Sequence, residues 1–327
     1  MISVLVPFLN EERHIAEAVA AMRAQTYAGG MEFLLIDGGS TDATRALLDP
    51  VVAGDERFRV IDDPDTTVPA RLNLGLRESR GELIARMDAH ALFPPRYLEL
   101  GARRLAAGDV ASVSGPQIAV GEGPWSRRVA LALRSRLGRG EAQFRHLPAG
   151  EVEIDSGYCG MWRRELLESH GGWNELASFA EDTELAARVR RAGGRIVCVP
   201  EMAAIYQPRD TLGGLALQYG RYAHRRAWIA RRHPEVLRPS HALPPAIVLA
   251  IVLSVLGRPT VARGARRALA LYLSALALES VRVGRDAPLA DALALPAVYA
   301  TMHLSWGAGF LAGCLEGLSD PGRPERP

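Results

Sequence analysis

Four short apolar runs fall early in the chain, with helical sequence between them. They are "ISVLVP" (2–7), "EFLLIDGG" (32–39), "FRVIDD" (58–63) and "ELIARMD" (82–88). The intervening pattern predicts helices from about Glu11 to Gln25, over 40–48 with Ser40 or Thr41 as cap, and near 68–78. Continuous apolar strands that alternate with helices are strands buried on both faces. The expected fold is therefore α/β, with a mainly parallel sheet and helices on both of its faces. Ligands of such sheets bind beyond the carboxyl ends of the strands. Asp37, Asp63 and Asp88 all fall there.

A chain of 327 residues can hold one large domain and a smaller unit, and 48% hydrophobic with 23% charged residues argues against disorder. The net charge is +2, and all 39 cationic side chains are arginine. No nucleic-acid partner is expected. Cys159, Cys198 and Cys314 are far apart and odd in number, which reads as reduced thiols without a disulfide framework or zinc site. The opening "MISVLVPFLNEE" has no basic n-region and is not expected to be a signal peptide.

From about Ser240 the composition shifts. The stretches 242–257, 268–281 and 293–315 are apolar, and only the third comfortably reaches the roughly 20 residues that span a bilayer. The expected division is a catalytic domain over 1–235 and a helical, membrane-associated region over 236–327 with two or three hydrophobic segments. Arginines flank the first stretch on both sides, Arg231, Arg232 and Arg238 before it and Arg258, Arg263, Arg266 and Arg267 after. The positive-inside bias puts both flanks in the cytoplasm. With Pro244-Pro245 and its short length, that stretch could lie in the interface or re-enter rather than cross.

Three groups of residues carry chemistry. In an extended segment Asp88 and His90 would project to the same side, where carboxylate and imidazole suit Mn²⁺ or Mg²⁺. The competing reading is a turn cap and a surface histidine. Asp37, ahead of Gly38-Gly39-Ser40, could accept from a base or ribose, or simply cap the turn. Glu181 and Asp182 open an amphipathic helix, where the helix dipole favours carboxylates whether or not they have a role.

Together, "SVLVPFLNEE", "LLIDGGSTDAT", "RMDAHA", "ASFAEDTELAARVRRAGGRI" and "PRDTLGGLALQYGRYAHRRAW" resemble the family 2 inverting glycosyltransferases of GT-A fold. "DAHA" and "HLSWGAGFLAG" resemble, more narrowly, the succinoglycan-type glucosyltransferases of exopolysaccharide synthesis. The resemblance implies that Pro7, Phe8, Asn10 and Glu11 line the nucleotide pocket and that Asp37 holds base or ribose. Asp63 joins the nucleotide-sugar set. Asp88 and His90 stand where the family has Asp-x-Asp, binding metal and diphosphate, with histidine replacing the second aspartate. Asp182, with Glu181 beside it, matches the general base. Gln218, Arg221 and Tyr222 resemble the Q-x-x-R-W element, with tyrosine for tryptophan, and together with Arg209 would hold acceptor and diphosphate.

The implied activity is metal-dependent, inverting hexosyl transfer from a nucleotide sugar, UDP-linked above others, to a hydroxyl of a polyprenyl-linked saccharide. Its implied setting is the bacterial plasma membrane, with the catalytic domain cytoplasmic. Two alternatives stay open: a polyprenyl-phosphate monosaccharide synthase, and a silent nucleotide-sugar-binding scaffold.

Overall fold

The computed structural model describes residues 1–145 and 148–319. Among the described residues the chain forms two compact units, one of residues 1–118 and 143–206, the other of 119–142 and 207–319.

In the first unit the chain runs β1 (Ile2–Phe8), α1 (Ile15–Arg23), β2 (Met31–Asp37), α2 (Thr44–Val52), β3 (Phe58–Asp62) and α3 (Val68–Glu78). It continues through β4 (Leu83–Arg86), β5 (Ala91–Leu92), α4 (Tyr97–Ala106), β6 (Ser112–Gly115) and β7 (Gln117–Ala119). After contributing α5 (Pro124–Leu133) and α6 (Arg136–Arg139) to the second unit, it returns. The remaining elements here are β8 (Val152–Glu153), β9 (Tyr158–Arg163), α7 (Arg164–Ser169), α8 (Glu181–Arg191), β10 (Ile196–Cys198) and β11 (Ala204–Tyr206).

Eight strands form one sheet in the order β3-β2-β1-β4-β9-β6-β10-β8. The pairs β3–β2, β2–β1, β1–β4 and β6–β10 are parallel; β9 runs antiparallel to β4 and β6, and β8 to β10. The sheet is thus mixed, with its parallel half at the N-terminal side. A smaller sheet has the order β5-β11-β7.

Every residue of β1 is buried, and apolar clusters cover both faces of the sheet. One holds Val4, Val6, Phe33 and Met161, the other Leu5, Leu34, Ile36 and Trp173. Each such side chain contributes about 1.5–3 kcal/mol on burial, so the sheet is a stiff platform. The register pairs Phe8 with Asp37 and Asp37 with Asp62, setting the strand ends side by side.

Helix α3 coincides with the expected 68–78, but α2 starts at Thr44 rather than near Ser40. Asp37 and Asn10 take the amides of residues 39–42 and hold them in a loop. Asp42 then accepts from Thr44 N at 3.0 Å. The segment after β4 is also not extended. Ala91 N donates to Asp88 O at 3.1 Å, closing a turn over Asp88–Ala91, so period-two alternation does not orient Asp88 and His90.

The second unit holds α5, α6, α9 (Leu212–Ala230), α10 (Leu243–Leu256), α11 (Pro259–Gly284) and α12 (Leu289–Ser319). It therefore includes α9, which the sequence reading placed with 1–235. Its core gathers Val129, Ala132, Leu215, Leu276, Val298, Tyr299 and Met302. Among the described residues one stretch, Pro239–Leu256, is long and apolar enough to cross a membrane. The 293–315 stretch, favoured on sequence, is not. It belongs to α12, whose Leu295, Val298, Tyr299 and Met302 pack inside this unit. His303 there is satisfied by Tyr272 OH at 3.0 Å and Leu137 O at 2.8 Å.

Candidate active site

The carboxyl ends of β1, β2 and β4 and the start of α8 hold the chemistry-bearing residues of the first unit. At the centre is Arg86, the last residue of β4 and buried. Its Nε donates to Asp88 Oδ1 at 2.8 Å, and its Nη1 donates to Glu181 Oε1 at 2.8 Å and Asp182 Oδ1 at 3.0 Å. One guanidinium thus joins the turn after β4 to the first residues of α8, 95 positions further along the chain.

Three carboxylates against one cation leave this cluster net negative, and its members respond differently. Burial works against the Arg86 charge, but Asp182, Asp88 and Glu181 outweigh it and hold the guanidinium protonated. Burial would likewise raise the Asp88 carboxyl; Arg86 and then His90 more than offset this and keep it below the usual range. For Asp182 burial wins. Arg86 pulls down, Glu181 and Asp88 push up, and the group is raised to about 7. Burial and the neighbouring carboxylates therefore favour a protonated Asp182 toward neutral pH. Its side chain keeps 21% of its surface open to solvent. A carboxylate poised near neutrality and still reachable is suited to general-base work.

His90 follows Asp88 in the same turn. Its Nδ1 lies 3.1 Å from Glu11 Oε1, and its ring meets that of Tyr206 edge-on at 6.0 Å. Among the described residues no three His, Cys, Asp or Glu side chains gather into a metal cage. Asp88 and His90 could supply one carboxylate and one imidazole to a divalent cation. Arg86 engages only Oδ1 of Asp88, and a depressed carboxyl beside an imidazole suits Mn²⁺ or Mg²⁺.

The β1 and β2 ends form a second cluster. Asn10, at φ +56°, accepts from Thr41 N at 2.8 Å, and its own amide donates to Ser40 Oγ at 3.0 Å. Asp37 Oδ1 accepts from Gly39 N, Ser40 N and Ser40 Oγ at 3.2, 2.9 and 2.7 Å. Its Oδ2 lies 3.5 Å from Arg45. Asp63 donates its amide to Asp37 O, and its carboxylate accepts from Thr66. Pro7 and Phe8 are buried in β1 itself.

Sequence reasoning missed two arginines. Arg86 interrupts an apolar strand, a charge out of place that was itself the available signal. Arg71, on α3, is 4% exposed, and its Nε and Nη1 have no hydrogen-bond partner. Burial pulls its pKa down, with Asp63 and Asp37 opposing. It lies against Gly38, where an added Cβ would sit 1.6 Å from Nη1, so a side chain there would displace the guanidinium.

Arg209, Gln218, Arg221 and Tyr222 belong to the second unit. Gln218 Nε2 donates to Tyr222 OH at 3.1 Å along α9, and the Tyr219 and Tyr222 rings lie 6.3 Å apart.

A model of glycosyl transferase family 2 matches residues 3–171 of the chain. The chain belongs to glycosyltransferase family 2. It is 29% identical over 320 residues to the succinoglycan biosynthesis protein ExoA of Rhizobium meliloti, covering 94% of this chain and 93% of that protein. An N-acetylglucosaminyltransferase of Azorhizobium caulinodans is 28% identical over 234 residues, 68% of this chain and 58% of its own length.

Among solved structures, the mannosyltransferase PcManGT of Pyrobaculum calidifontis, in complex with GDP-Man and Mn²⁺, superposes with a TM-score of 0.60 at 22% identity. It covers 98% of this chain and 88% of its own. Residues 1–349 of S. aureus TarS, in complex with UDP-GlcNAc, give 0.52 at 15% identity, covering 99% and 93%. At these identities the likeness establishes the fold, and this family 2 glycosyltransferase has the GT-A architecture expected from its sequence.

Proposed function

We propose that this family 2 enzyme transfers a hexose, with inversion, from a UDP-linked donor to a hydroxyl of a polyprenyl-linked saccharide. Its setting would be the cytoplasmic face of a bacterial plasma membrane, in exopolysaccharide synthesis. Residues 1–235 carry catalysis and 236–327 the membrane association. The observation that carries this reading is Asp182, a partly open carboxylate raised to about 7 and anchored through Arg86 to Asp88. Similarity to ExoA along nearly the whole chain supports the pathway class.

Asp182 takes the proton of the acceptor hydroxyl as its oxygen attacks the anomeric carbon. The bond from that carbon to the diphosphate oxygen breaks, its electron pair leaves with the nucleotide, and a single displacement inverts the centre. Asp88 and His90 would hold a divalent cation, which when bound supplies charge neutralisation to the leaving diphosphate. Glu11 orients His90 through the contact at its Nδ1. Pro7, Phe8, Asn10, Asp37 and Asp63 form the nucleotide side. The unpartnered guanidinium of Arg71 beside Asp37 and Asp63 supports this assignment, since a buried donor without an acceptor is costly until a ligand supplies one. Glu181 steadies Arg86. Arg209, Gln218, Arg221 and Tyr222 are assigned to acceptor and diphosphate on their match to the family element.

A phosphate acceptor is already ionised and needs no base, so a carboxylate tuned toward neutrality favours the hydroxyl over a polyprenyl phosphate. Thermal-shift screening of nucleotide sugars with Mn²⁺, followed by transfer assays of Asp182→Asn, tests the reading. Near-total loss of transfer with donor binding retained supports it, and modest loss points to a phosphate acceptor.

A further inference from the structure

We propose that α10 and α11 form a one-leaflet anchor that lies within the interface of an anionic bilayer instead of crossing it. This deepens the membrane attachment in the proposed function and rests on it.

The apolar surface comes first. On α10 every exposed side chain is apolar: Leu243, Ala246, Leu249, Ile251, Val252, Leu253, Val255 and Leu256, the last 80% exposed. On α11 the exposed residues between Arg267 and Arg282 are all Ala, Leu, Ser or Val, with Leu271 and Leu278 at 73% and 74%. Neighbouring helices leave this surface open to an apolar phase.

Length and charge then choose the arrangement. Helix α10 has 14 residues, so at about 1.5 Å per residue it extends roughly 21 Å against a hydrocarbon core of about 30 Å. Adding Pro239–Ala242 would lengthen it, but that turn is committed to polar partners. Ser240 Oγ donates to Glu141 at 2.8 Å, and His241 Nδ1 accepts from Arg238 N at 3.1 Å.

The uncharged face of α11 is as short as α10 and ends at Arg282 and Arg285. Arg258, Arg263, Arg266 and Arg267 crowd the corner between the two helices, where Arg266 donates to Ser254 O at 3.0 and 3.2 Å. A helix that crossed would drive one arginine-rich end through the bilayer. Lying in the interface keeps both arginine-rich ends at the level of the headgroup phosphates, although Arg266 is engaged by Ser254 O and Arg282 by Glu279 at 2.6 and 2.7 Å. That rim is what selects an anionic leaflet.

The full-length protein supplies the test. Flotation is compared on phosphatidylcholine vesicles and on vesicles with one quarter phosphatidylglycerol. In a Cys314→Ser background, where Cys159 and Cys198 are buried, single cysteines Leu237→Cys, Arg258→Cys and Arg285→Cys are labelled with an impermeant maleimide. Labelling is done on inverted and right-side-out membrane vesicles. The expected result is at least tenfold stronger flotation with the anionic lipid, weakened by salt, and labelling of all three positions in inverted vesicles only. A position labelled only from the opposite face overturns the in-plane arrangement and leaves membrane attachment standing. Equal flotation on both lipids overturns the anionic preference, and no flotation at all overturns the anchor and the attachment together.

Discussion

Arg86 Nη1 stands 3.0 Å from Asp182 Oδ1, and this contact ties the end of the strand that leads into Asp88 to the helix that carries the proposed base. Removing the guanidinium leaves three carboxylates facing one another. Arg86→Met is expected to destabilise the protein by about 3 kcal/mol, as breaking a buried ion pair does, and to cut turnover more than a hundredfold. Arg86→Lys keeps the charge but not the fork, so it should restore stability further than turnover. Thermal unfolding and kcat measured on both variants check this.

The pH dependence has two opposite arms. The folded pKa of Asp182 lies near 7, above an unfolded value of about 3.9. Its neutral form therefore favours the fold. That contribution is complete below the unfolded value and fades as pH rises toward and through 7. Unfolding temperature should fall between pH 5 and pH 8, and Asp182→Asn should flatten the fall. Catalysis runs the other way, because the base must be ionised, so kcat/KM should rise with pH through about 7. A pH series of both quantities on both proteins tests the assignment.

Arg71 donates nothing from Nε or Nη1 in the free protein. Arg71→Met should therefore cost under about 1 kcal/mol of stability, since it removes a buried charge without breaking a bond. It should weaken donor binding by tenfold or more, read by calorimetry as a higher Kd.

Chelation should stop transfer, and Mn²⁺ should restore it more fully than Mg²⁺, because imidazole suits Mn²⁺ better than the harder ion. His90→Asp is expected to narrow the gap between the two metals, measured as the half-saturating concentration of each.

Much of the architecture was legible because strands such as Ile2–Phe8 are continuous apolar runs and α3 has a cap and proline at its start. The antiparallel insertion of β9 was not, since a buried strand has the same pattern in either direction. The start of α2 was misplaced because Ser40 and Thr41 look like caps, whereas Asp37 and Asn10 bind the loop amides from other strand ends. Asp88, His90 and Asp182 were proposed one motif at a time. Arg86, which joins Asp88 to Asp182, also contacts Glu181 across 95 positions, a long-range pairing that no local pattern encodes. The apolar stretch 293–315 reads like a span, yet packing inside the second unit uses much of that surface.

The most direct test compares nucleotide release from a panel of UDP-hexoses, with saturating Mn²⁺ and a lipid-linked saccharide acceptor, by the native enzyme and by Asp182→Asn. At least one donor should be turned over, and the substitution should slow it by about 10²–10⁴ while donor affinity holds within a few fold. A substituted enzyme that stays within tenfold of the native rate would contradict the assignment of Asp182 as the base.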